Sequence, residues 1–325
     1  MDKPALVIST LIGYGDCLYL TPVIRFLKRC GFVVDMFAVN DEPFRLNPDL
    51  KSLKVLREKN VKLDRKRYGK NIFIFEDIGT SSCSNHTLDT LTRKVANITL
   101  RPNEKSIVLQ SSCEEKEKVK NLLHKHGLEP HGNFVVISPA ITWPSRTLPV
   151  GYYNRLILEI QALGDKVVIV GKDINPVKDF GAVAVSGKVA ADELKGIYPA
   201  RFFEGVIDLT NQLTFSELGC LYGYSPVAIN TEGMNLVLTG VADDCWNIYI
   251  TSLSPPEIRL PWRNGLQSYK TVVVENEDGW YPTHNYDVFR HLDIGELDLR
   301  GMKVRLPTVE AVVAAYVKVR GLFFD

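Results

Sequence analysis

Apolar positions along the chain alternate between short continuous runs and helical stripes. Residues 4–10 form an apolar, β-branched run of the kind that a buried parallel strand requires. A glycine turn follows at residues 13–16, and the segment 17–30 then carries apolar residues on one helical face: Leu20, Val23, Ile24 and Leu27. Residues 33–39 return to a strand pattern, so this stretch predicts a βαβ unit.

The rest of the first half continues in the same manner. Further strands are predicted at residues 52–56, 71–75 and 106–109. Residues 114–126 predict a helix with acidic residues at its start and basic residues at its end, which matches the helix dipole. Gly127 ends this helix, and the turn-rich segment 128–133 reads as a linker.

The pattern of strand, loop, helix and strand starts again at residue 134. Strands are predicted at 134–138, 166–171, 182–185, 205–208, 227–230 and 245–250, and helices at 150–163, 215–222, 234–239 and 308–320, the last with Thr308 as its N-cap. The sequence therefore predicts an α/β protein of two facing Rossmann-like domains, each with a parallel sheet. We place the first domain at 1–130, the second at 131–305 and a closing helical segment at 306–325. Because ligands of open parallel sheets bind at the carboxyl ends of the strands, a cleft between the domains is the expected site.

Composition narrows the class of protein. The 325 residues suit two domains of ordinary size, and a net charge of +1 does not indicate a dedicated nucleic-acid binder. Charge is nevertheless uneven, because residues 1–130 carry 22 Lys and Arg against 16 Asp and Glu, whereas the remainder carries 17 against 22. A basic first half is compatible with an acidic partner and also with chance variation.

Cysteine and hydropathy patterns favour a cytoplasmic protein. No two of the six cysteines form a CxxC pair, and no metal-ligand spacing such as HExxH occurs, so we expect no metal site and no disulfide scaffold. The amino terminus lacks a signal-peptide pattern, and no apolar run approaches the ~20 residues of a membrane span. Peripheral contact with the inner membrane stays open as an expectation.

The turn GYGD at residues 13–16 is the first candidate for chemistry. Gly13 and Gly15 let a ligand approach the backbone, and the following helix start favours anions. Asp16 stands at the mouth of the expected cleft, where a carboxylate can take a proton from a hydroxyl. Capping of the helix by Asp16 is the structural alternative.

Two further candidates lie in the second half. In the loop 139–149, Thr142 offers a hydroxyl and Arg146 a guanidinium that can pair with phosphate; a solvated loop is the alternative. The segment 229–235 joins a strand to a helix, and its backbone and side chains can hold a phosphate or a sugar: Asn230, Thr231, Glu232, Gly233, Met234 and Asn235. An ordinary connection capped by Asn230 or Thr231 is the alternative there.

A basic run occupies residues 62–70. Its cations are Lys62, Arg65, Lys66, Arg67 and Lys70. Such a cluster can bind the phosphates of an acceptor, and a solvated loop explains it nearly as well.

Taken in order, these motifs resemble glycosyltransferase family 9, the ADP-heptose:lipopolysaccharide heptosyltransferases. The resemblance covers most of residues 4–260. It is carried by ALVISTLIGYGDCLYLTPVIRFLKR at the start, NPDL at 47–50, FVVISPAITWPSRTLPVGYYNRL from 134, and VIDLTNQLTFSELGCLYGYSPVAINTEGMN from 206. Four such segments in the right order are more specific than any one of them.

The resemblance implies a GT-B fold and sugar transfer from a nucleotide-sugar to an acceptor hydroxyl without a catalytic metal or other cofactor. It implies that the first domain binds the acceptor, a phosphorylated glycolipid for example, that the second binds the donor, and that the closing helix crosses back onto the first domain. Asp16 matches the family's catalytic base, and Arg146 falls where the family has a phosphate-binding lysine. Gly13 and Gly15, together with the basic run, fall on the acceptor side.

This chain departs from the family pattern at several positions. Arg146 replaces a lysine, Asn230 an aspartate, Glu232 a glycine and Asn235 a histidine. These changes indicate a divergent member with a different sugar, nucleotide or acceptor. Residue by residue, the hypothesis is that Asp16 deprotonates an acceptor hydroxyl, which attacks the anomeric carbon in line and inverts it.

Three alternatives stay open. The acceptor can be a modified nucleic-acid base or a protein side chain, which the basic first half permits. A nucleotide-sugar epimerase using NAD is disfavoured by the incomplete GxG pattern and by the absence of a YxxxK pair. A non-catalytic protein that binds nucleotide-sugars is disfavoured by the presence of both Asp16 and Arg146.

Overall fold

A computed structural model provides the three-dimensional description of the chain. It describes residues 3–56, 64–76, 86–96, 98–139, 148–171, 205–251, 254–267, 269–277, 279, 281 and 306–323. All structural statements below concern these residues. The predicted strand at 182–185 lies outside them.

The first sheet is parallel and has four strands. They are β1 (Lys3–Ser9), β2 (Phe32–Ala38), β3 (Leu50–Val55) and β4 (Ile72–Phe75), in the order β3-β2-β1-β4. Leu6 of β1 lies opposite Asp35 on one side and Ile72 on the other. The chain moves outward from β1 to β3 and then returns to β4, so the direction of winding reverses between β1 and β4.

The second sheet is parallel and has six strands. They are β5 (Phe134–Ser138), β6 (Lys166–Ile169), β7 (Ile207–Asp208), β8 (Val227–Asn230), β9 (Trp246–Ile250) and β10 (Thr271–Val274), in the order β10-β9-β8-β5-β6-β7. Winding reverses between β5 and β8, where Ser138 pairs with Asn230. In open α/β sheets, such a reversal opens the crevice in which ligands bind.

Eight α-helices accompany the strands among the described residues. They are α1 (Tyr14–Arg29), α2 (Thr87–Ala96), α3 (Cys113–Lys125), α4 (Val150–Ala162), α5 (Phe215–Tyr224), α6 (Met234–Leu238), α7 (Pro256–Arg259) and α8 (Val309–Arg320). Short 3-10 turns occur at Glu42–Phe44, Arg65–Tyr68, Pro102–Glu104 and Thr239–Val241. None of the described helices is long and apolar enough to cross a membrane.

Local sequence signals set the ends of α3. The Ser112 hydroxyl accepts a hydrogen bond from the Glu115 backbone amide, and the Glu115 carboxylate accepts one from the Ser112 backbone amide, which closes a capping box. At the other end Gly127 adopts φ +65°, and the Leu128 amide donates to the Leu123 carbonyl. This Schellman arrangement favours glycine because a left-handed backbone is costly for other residues.

The two sheets share one continuous apolar core. Val7 and Val34 of the first sheet belong to the same buried cluster as Val136 and Ala228 of the second. Helices α1, α3, α5 and α6 contribute the residues between them. A second cluster covers the other face of the second sheet and includes residues of α4 and α8.

Three details differ from the sequence predictions. Helix α1 begins at Tyr14, so Gly15 and Asp16 lie within its first turn rather than in a loop before it. Residues 106–109 form no strand, because the Val108 amide donates to the side-chain hydroxyl of Thr21 at 2.8 Å rather than to a neighbouring strand. Strand β10 and helices α2 and α7 were not predicted.

The closing helix does not pack where the family resemblance placed it. Helix α8 belongs to the apolar cluster of the second sheet, not to the first. Buried Asp165 accepts hydrogen bonds from Tyr316 at 2.8 Å and from Arg320 at 2.6 Å, and Tyr152 donates to the Pro307 carbonyl at 2.8 Å. The expected return of this helix to the first domain is therefore wrong for residues 306–323.

Candidate functional site

Asp16 occupies the first turn of helix α1, immediately beyond the carboxyl end of β1. The N-cap of this helix is Gly13, which offers no side-chain hydrogen bond, and Asp16 stands three residues further into the helix. A methyl group built at Gly13 would lie 2.9 Å from Asp16 Oδ2, which means that the carboxylate folds back over the helix start. An anion is favoured at this position by the helix dipole.

Residues 231–235 form the turn between β8 and α6, which we call the donor turn. Thr231, Glu232 and Asn235 are at most 9% exposed. The Asn235 side-chain amide donates to the Ser138 hydroxyl, which ties the turn to the end of β5. Asn235 Oδ1 is buried and has no hydrogen-bond partner among the described residues. The turn thus sits at the point where the winding of the second sheet reverses, with a polar acceptor left for a ligand.

The first turn of α1 touches the start of α6. A Cβ atom built at Gly15 would lie 3.6 Å from the Met234 Cα and 3.6 Å from Val237 Cγ2. Gly15 therefore allows close packing of the two helices, with room for only ordinary van der Waals contact. The structure brings the helix of Asp16 against the donor turn, which is the juxtaposition that the sequence hypothesis needed.

Arg259, at the end of α7, connects the two sides. Its Nε lies 2.9 Å from Glu232 Oε1 in the donor turn, and its Nη1 donates to the Thr87 hydroxyl at 3.0 Å. The Tyr19 hydroxyl donates to the Arg259 carbonyl at 2.7 Å. The segments that follow β1, β4, β8 and β9 therefore converge on this one arginine.

The charges around Arg259 keep its guanidinium ionised although it is buried. Burial alone lowers the pKa of Arg259, but the carboxylates of Glu232 and Asp16, followed by Tyr19 and Tyr249, outweigh burial and raise it above its ordinary value. Two carboxylates from opposite sides of the junction thus act on the same cation. An opposite charge within a few ångströms favours the charged form in this way.

A second set of contacts holds the α7 segment against the first sheet's helices. The ring of His86 meets Tyr19 edge-on at 5.2 Å and Trp262 at 6.3 Å between centroids. His86 Nε2 lies 2.9 Å from the Leu260 carbonyl. Lys105 stands 4.6 Å above the Trp262 ring and pairs with Asp89 at 2.8 Å. These contacts hold the α7 segment, and Arg259 with it, against helices α1 and α2.

Comparison with solved structures identifies the fold. The glycosyl transferase family 9 protein of Veillonella parvula superposes with a TM-score of 0.68 over 98% of both chains at 13% identity. Comparison of the sequence with protein-family models gave no match, and comparison with curated proteins also gave none. This chain has the fold of the family 9 glycosyltransferases.

Two enzymes of E. coli share this fold. The iron-containing dodecameric glycosyltransferase TibC matches with a TM-score of 0.61 at 14% identity, over 99% of this chain and 77% of TibC. The ADP-heptose lipopolysaccharide heptosyltransferase II matches with a TM-score of 0.52 at 13% identity, over 91% of this chain and 99% of the enzyme. The resemblance drawn from the sequence motifs, and the GT-B class that it implied, are thus confirmed at the level of the fold.

Within this glycosyltransferase fold, Asn230 serves the core rather than a ligand. Its Oδ1 accepts from the Tyr222 hydroxyl at 3.2 Å, and its Nδ2 donates to Asn247 Oδ1 at 3.0 Å. Asn230 is 1% exposed and joins β8 to α5 and β9. We therefore correct its predicted donor-binding role to a structural one, because both ends of its amide are already engaged.

The part of the basic run that the structure describes does not reach Asp16. Arg65, Lys66 and Arg67 belong to the 3-10 turn Arg65–Tyr68, whose Tyr68 packs with Leu6 and Ile8 on one face of the first sheet. Helix α1 packs on the opposite face, with Val7. Side chains alternate between the faces of a strand, so the turn and the helix lie on different sides. The expected acceptor role of these three cations at the site of Asp16 is not supported by this placement.

Asp35 gives the basic turn a structural explanation. This buried carboxylate of β2 accepts from the Ser52 hydroxyl at 2.6 Å and from the Tyr68 hydroxyl at 2.8 Å, and Arg67 Nη2 lies 3.8 Å away. The turn is thereby fastened to the sheet. Three other predicted site residues, Lys62, Thr142 and Arg146, lie outside the described residues.

Sequence reasoning missed Arg259. The stretch Ser254–Trp262 contains three prolines and no recognised motif, and the family resemblance fades near residue 260. One signal was available: this stretch follows a predicted buried strand, and loops at the carboxyl ends of parallel strands carry ligand-binding residues. No group of three metal-ligating side chains occurs among the described residues. The expectation of transfer without a metal stays a prediction.

Proposed function

We propose that this chain is a glycosyltransferase that moves a sugar from a nucleotide-sugar to an acceptor hydroxyl. The observation that carries the proposal is the contact between the first turn of α1, which contains Asp16, and the donor turn, where Arg259 pairs with Glu232. Ligands of such sheets bind at this edge. The shared fold with family 9 glycosyltransferases supports the same assignment.

On the donor side, the diphosphate of the nucleotide-sugar would lie at the winding reversal between β5 and β8. The donor turn supplies polar groups there, among them the unpartnered Asn235 Oδ1 and the hydroxyl of Thr231. Glu232 would accept hydrogen bonds from hydroxyl groups of the sugar or ribose. Cationic charge would come from Arg146, which follows β5 in the sequence, and it would stabilise the leaving diphosphate as the glycosidic bond breaks.

On the acceptor side, the first sheet would present the hydroxyl to Asp16. The Asp16 carboxylate takes the hydroxyl proton, the oxygen forms a bond to the anomeric carbon, and the bond from that carbon to the diphosphate oxygen breaks. The nucleoside diphosphate leaves with the bonding electron pair. In-line attack places the new bond opposite the old one, so the anomeric configuration inverts. We propose that no metal or other cofactor takes part.

One of the similar structures is an ADP-heptose lipopolysaccharide heptosyltransferase and another holds ADP-D-β-D-heptose, whereas this chain departs from the family pattern in the donor turn. Glu232 puts a buried carboxylate into the turn, and the Asn235 side-chain amide donates to the Ser138 hydroxyl. We infer a donor other than ADP-heptose. An acidic acceptor, such as a phosphorylated glycolipid, stays part of the proposal, with its phosphate held elsewhere than at Arg65–Arg67.

Thermal unfolding with a panel of nucleotides tests this function. ADP, UDP, GDP and dTDP, and their sugar conjugates, would each be added at millimolar concentration to the full chain. A ligand at 100 times its Kd stabilises the folded state by about 2.7 kcal/mol, so one nucleotide should raise the Tm by a few degrees. Release of that nucleoside diphosphate from the matching conjugate then reports transfer or hydrolysis. A shift without release would indicate a binding protein, and no shift with any nucleotide would refute the proposal.

A further inference from the structure

Glu232 places a buried negative charge in the turn that the proposed function gives to an anionic donor. Its side chain is 1% exposed, and the donor turn begins directly after the last residue of β8. A diphosphate near an uncompensated carboxylate would be repelled strongly, because both charges lie in a poorly solvated region. A chain with Glu232 therefore needs a cation that cancels it before an anionic ligand can enter.

Arg259 meets this requirement by geometry. Its Nε stands 2.9 Å from Glu232 Oε1, and its side chain is 14% exposed. The position of the guanidinium is fixed from the first sheet's side by Thr87 at 3.0 Å, and its backbone is fixed by Tyr19 at 2.7 Å. The cation is thus held by elements of both sheets rather than by a mobile loop.

Asp16 lies on the same side of the junction, one turn before Tyr19 on α1, and Tyr19 holds the Arg259 backbone. The Asp16 carboxylate, after that of Glu232, raises the pKa of Arg259. A forked guanidinium can serve two anionic partners at once, whereas an ammonium acts as a single point charge. One side chain therefore links the carboxylate of the donor turn to the carboxylate that we propose as the base.

We propose that Arg259 is a positioning residue with two effects: it cancels the charge of Glu232 so that the donor turn accepts a nucleoside diphosphate, and it orients Asp16 for proton transfer. This inference rests on the proposed function. The first effect acts on donor affinity and the second on turnover, so the two can be separated by measurement.

Donor affinity is tested with three variants, R259M, E232Q and E232Q/R259M. Binding of ADP, UDP, GDP and dTDP is measured by calorimetry on the full chain, with the Tm of each variant as a check on folding. We expect R259M to weaken the tightest of these ligands at least about tenfold, which corresponds to about 1.4 kcal/mol. E232Q, which keeps Arg259 and lacks the carboxylate, is the reference for the double variant. The double variant should bind within about threefold of E232Q, because position 232 no longer carries a charge that needs compensation.

A matched control comes from another buried carboxylate. Glu217 is 5% exposed and pairs with Lys118 at 2.7 Å on the helices α3 and α5. K118M should lower the Tm by removing that partner and leave nucleotide affinity unchanged. A general loss of stability is thereby distinguished from loss of charge compensation in the donor turn.

Turnover separates the orienting effect. In the double variant we expect a donor KM near that of E232Q and a kcat at least about tenfold lower than that of E232Q, because Asp16 has lost the nearby guanidinium. R259K should recover donor affinity but not kcat, since an ammonium cancels one charge without bridging two. If R259M does not fold, the comparison of E232Q with E232Q/R259M still isolates the effect on kcat.

The outcomes are distinct. Wild-type affinity in R259M, or a double variant as weak as R259M, overturns charge compensation. A double variant with the kcat of E232Q overturns the orientation of Asp16. If wild type itself binds none of the four nucleotides, the proposed function fails and this inference fails with it.

Discussion

The hydroxyl of Tyr19 donates a hydrogen bond of 2.7 Å to the backbone carbonyl of Arg259. Tyr19 is 2% exposed and lies on α1, one turn beyond Asp16, whereas Arg259 ends α7 on the side of the second sheet. Burial raises the pKa of Tyr19 well above its ordinary value, so the hydroxyl keeps its proton and remains a donor. This bond joins helix α1, which carries the proposed base Asp16, to the arginine that pairs with Glu232.

Tyr19→Phe should therefore destabilise the fold and reduce turnover. Loss of one buried hydrogen bond costs about 1–2 kcal/mol, because the Arg259 carbonyl loses this donor. Denaturant unfolding would measure the stability, and release of nucleoside diphosphate would measure turnover. Tyr316→Phe is the matched control, since its hydroxyl donates to Asp165 at 2.8 Å far from the site. Equal loss of turnover in both variants would contradict a specific role of Tyr19.

Asp16→Asn should abolish most of the activity while the protein stays folded. Asparagine fills the same space but cannot accept the proton, and removal of a general base typically costs about 10²- to 10⁴-fold in rate. The measurement is kcat with the donor found in the nucleotide panel, accompanied by the Tm. Asp41→Asn, which disturbs a carboxylate paired with Arg45 at 3.2 Å on the surface, serves as control. Near-wild-type kcat in Asp16→Asn would remove this residue from the mechanism.

Much of the fold was predictable because its signals are local. The apolar run at residues 4–10 and the stripe of α1 predicted the first βαβ unit within one to three residues of its observed bounds. The capping box at Ser112 and the glycine at 127 involve only residues close in sequence, so the ends of α3 follow from the local sequence. Signals of this range need no knowledge of the tertiary structure.

The candidate site was predictable only in part because its contacts are not local. Asp16 and the donor turn were found through motifs, but the ion pair of Glu232 with Arg259 and the bond from Tyr19 join residues 27 and 240 positions apart. The amino-acid composition does not reveal such long-range pairs. Residues 106–109 show the converse case, since their apolar character fits a strand, yet the Thr21 hydroxyl takes up the backbone amide that a strand would have paired.

Gly240 marks a close contact that a larger residue should disrupt. A Cβ built there would lie 2.6 Å from Pro261 Cβ and 2.9 Å from Ile107 Cδ1, both of which are held by surrounding structure. We expect Gly240→Ala to destabilise the fold by about 1–3 kcal/mol through overpacking. Gly223→Ala is the control, because a Cβ at Gly223 in α5 meets nothing within 4 Å and alanine favours a helix by up to about 1 kcal/mol. Denaturant midpoints should move in opposite directions, and a shared direction would contradict the packing argument.

His86 links helix α2 to the α7 segment as a neutral ring. Burial, aided by the nearby charges of Lys105 and Arg259, lowers the pKa of His86 to about 4, against a smaller opposing effect of Asp89 and of the Leu260 carbonyl. Its Nδ1 accepts from the Leu88 amide at 3.2 Å, so the proton of the neutral ring resides on Nε2 and is donated to Leu260. Protonation of Nδ1 would turn it into a donor opposite the Leu88 amide, which is also a donor, so this hydrogen bond would be lost.

Protonation of His86 in the unfolded chain should consequently lower the free energy of unfolding at acid pH. The substitution His86→Asn should reduce this loss. Above pH 6.5 the ring is neutral in both the folded and the unfolded state, so it adds no pH dependence there. As the pH drops from about 6.5 to about 4, His86 binds a proton in the unfolded chain but stays neutral in the folded protein. The free energy of unfolding therefore falls by up to about 3 kcal/mol. Asparagine can accept the hydrogen bond of the Leu88 amide but does not titrate. Urea unfolding at intervals from pH 7 to 4 should show a shallower slope of stability against pH for His86→Asn than for wild type. Identical slopes in wild type and His86→Asn would show that protonation of this ring does not govern the acid sensitivity of the fold.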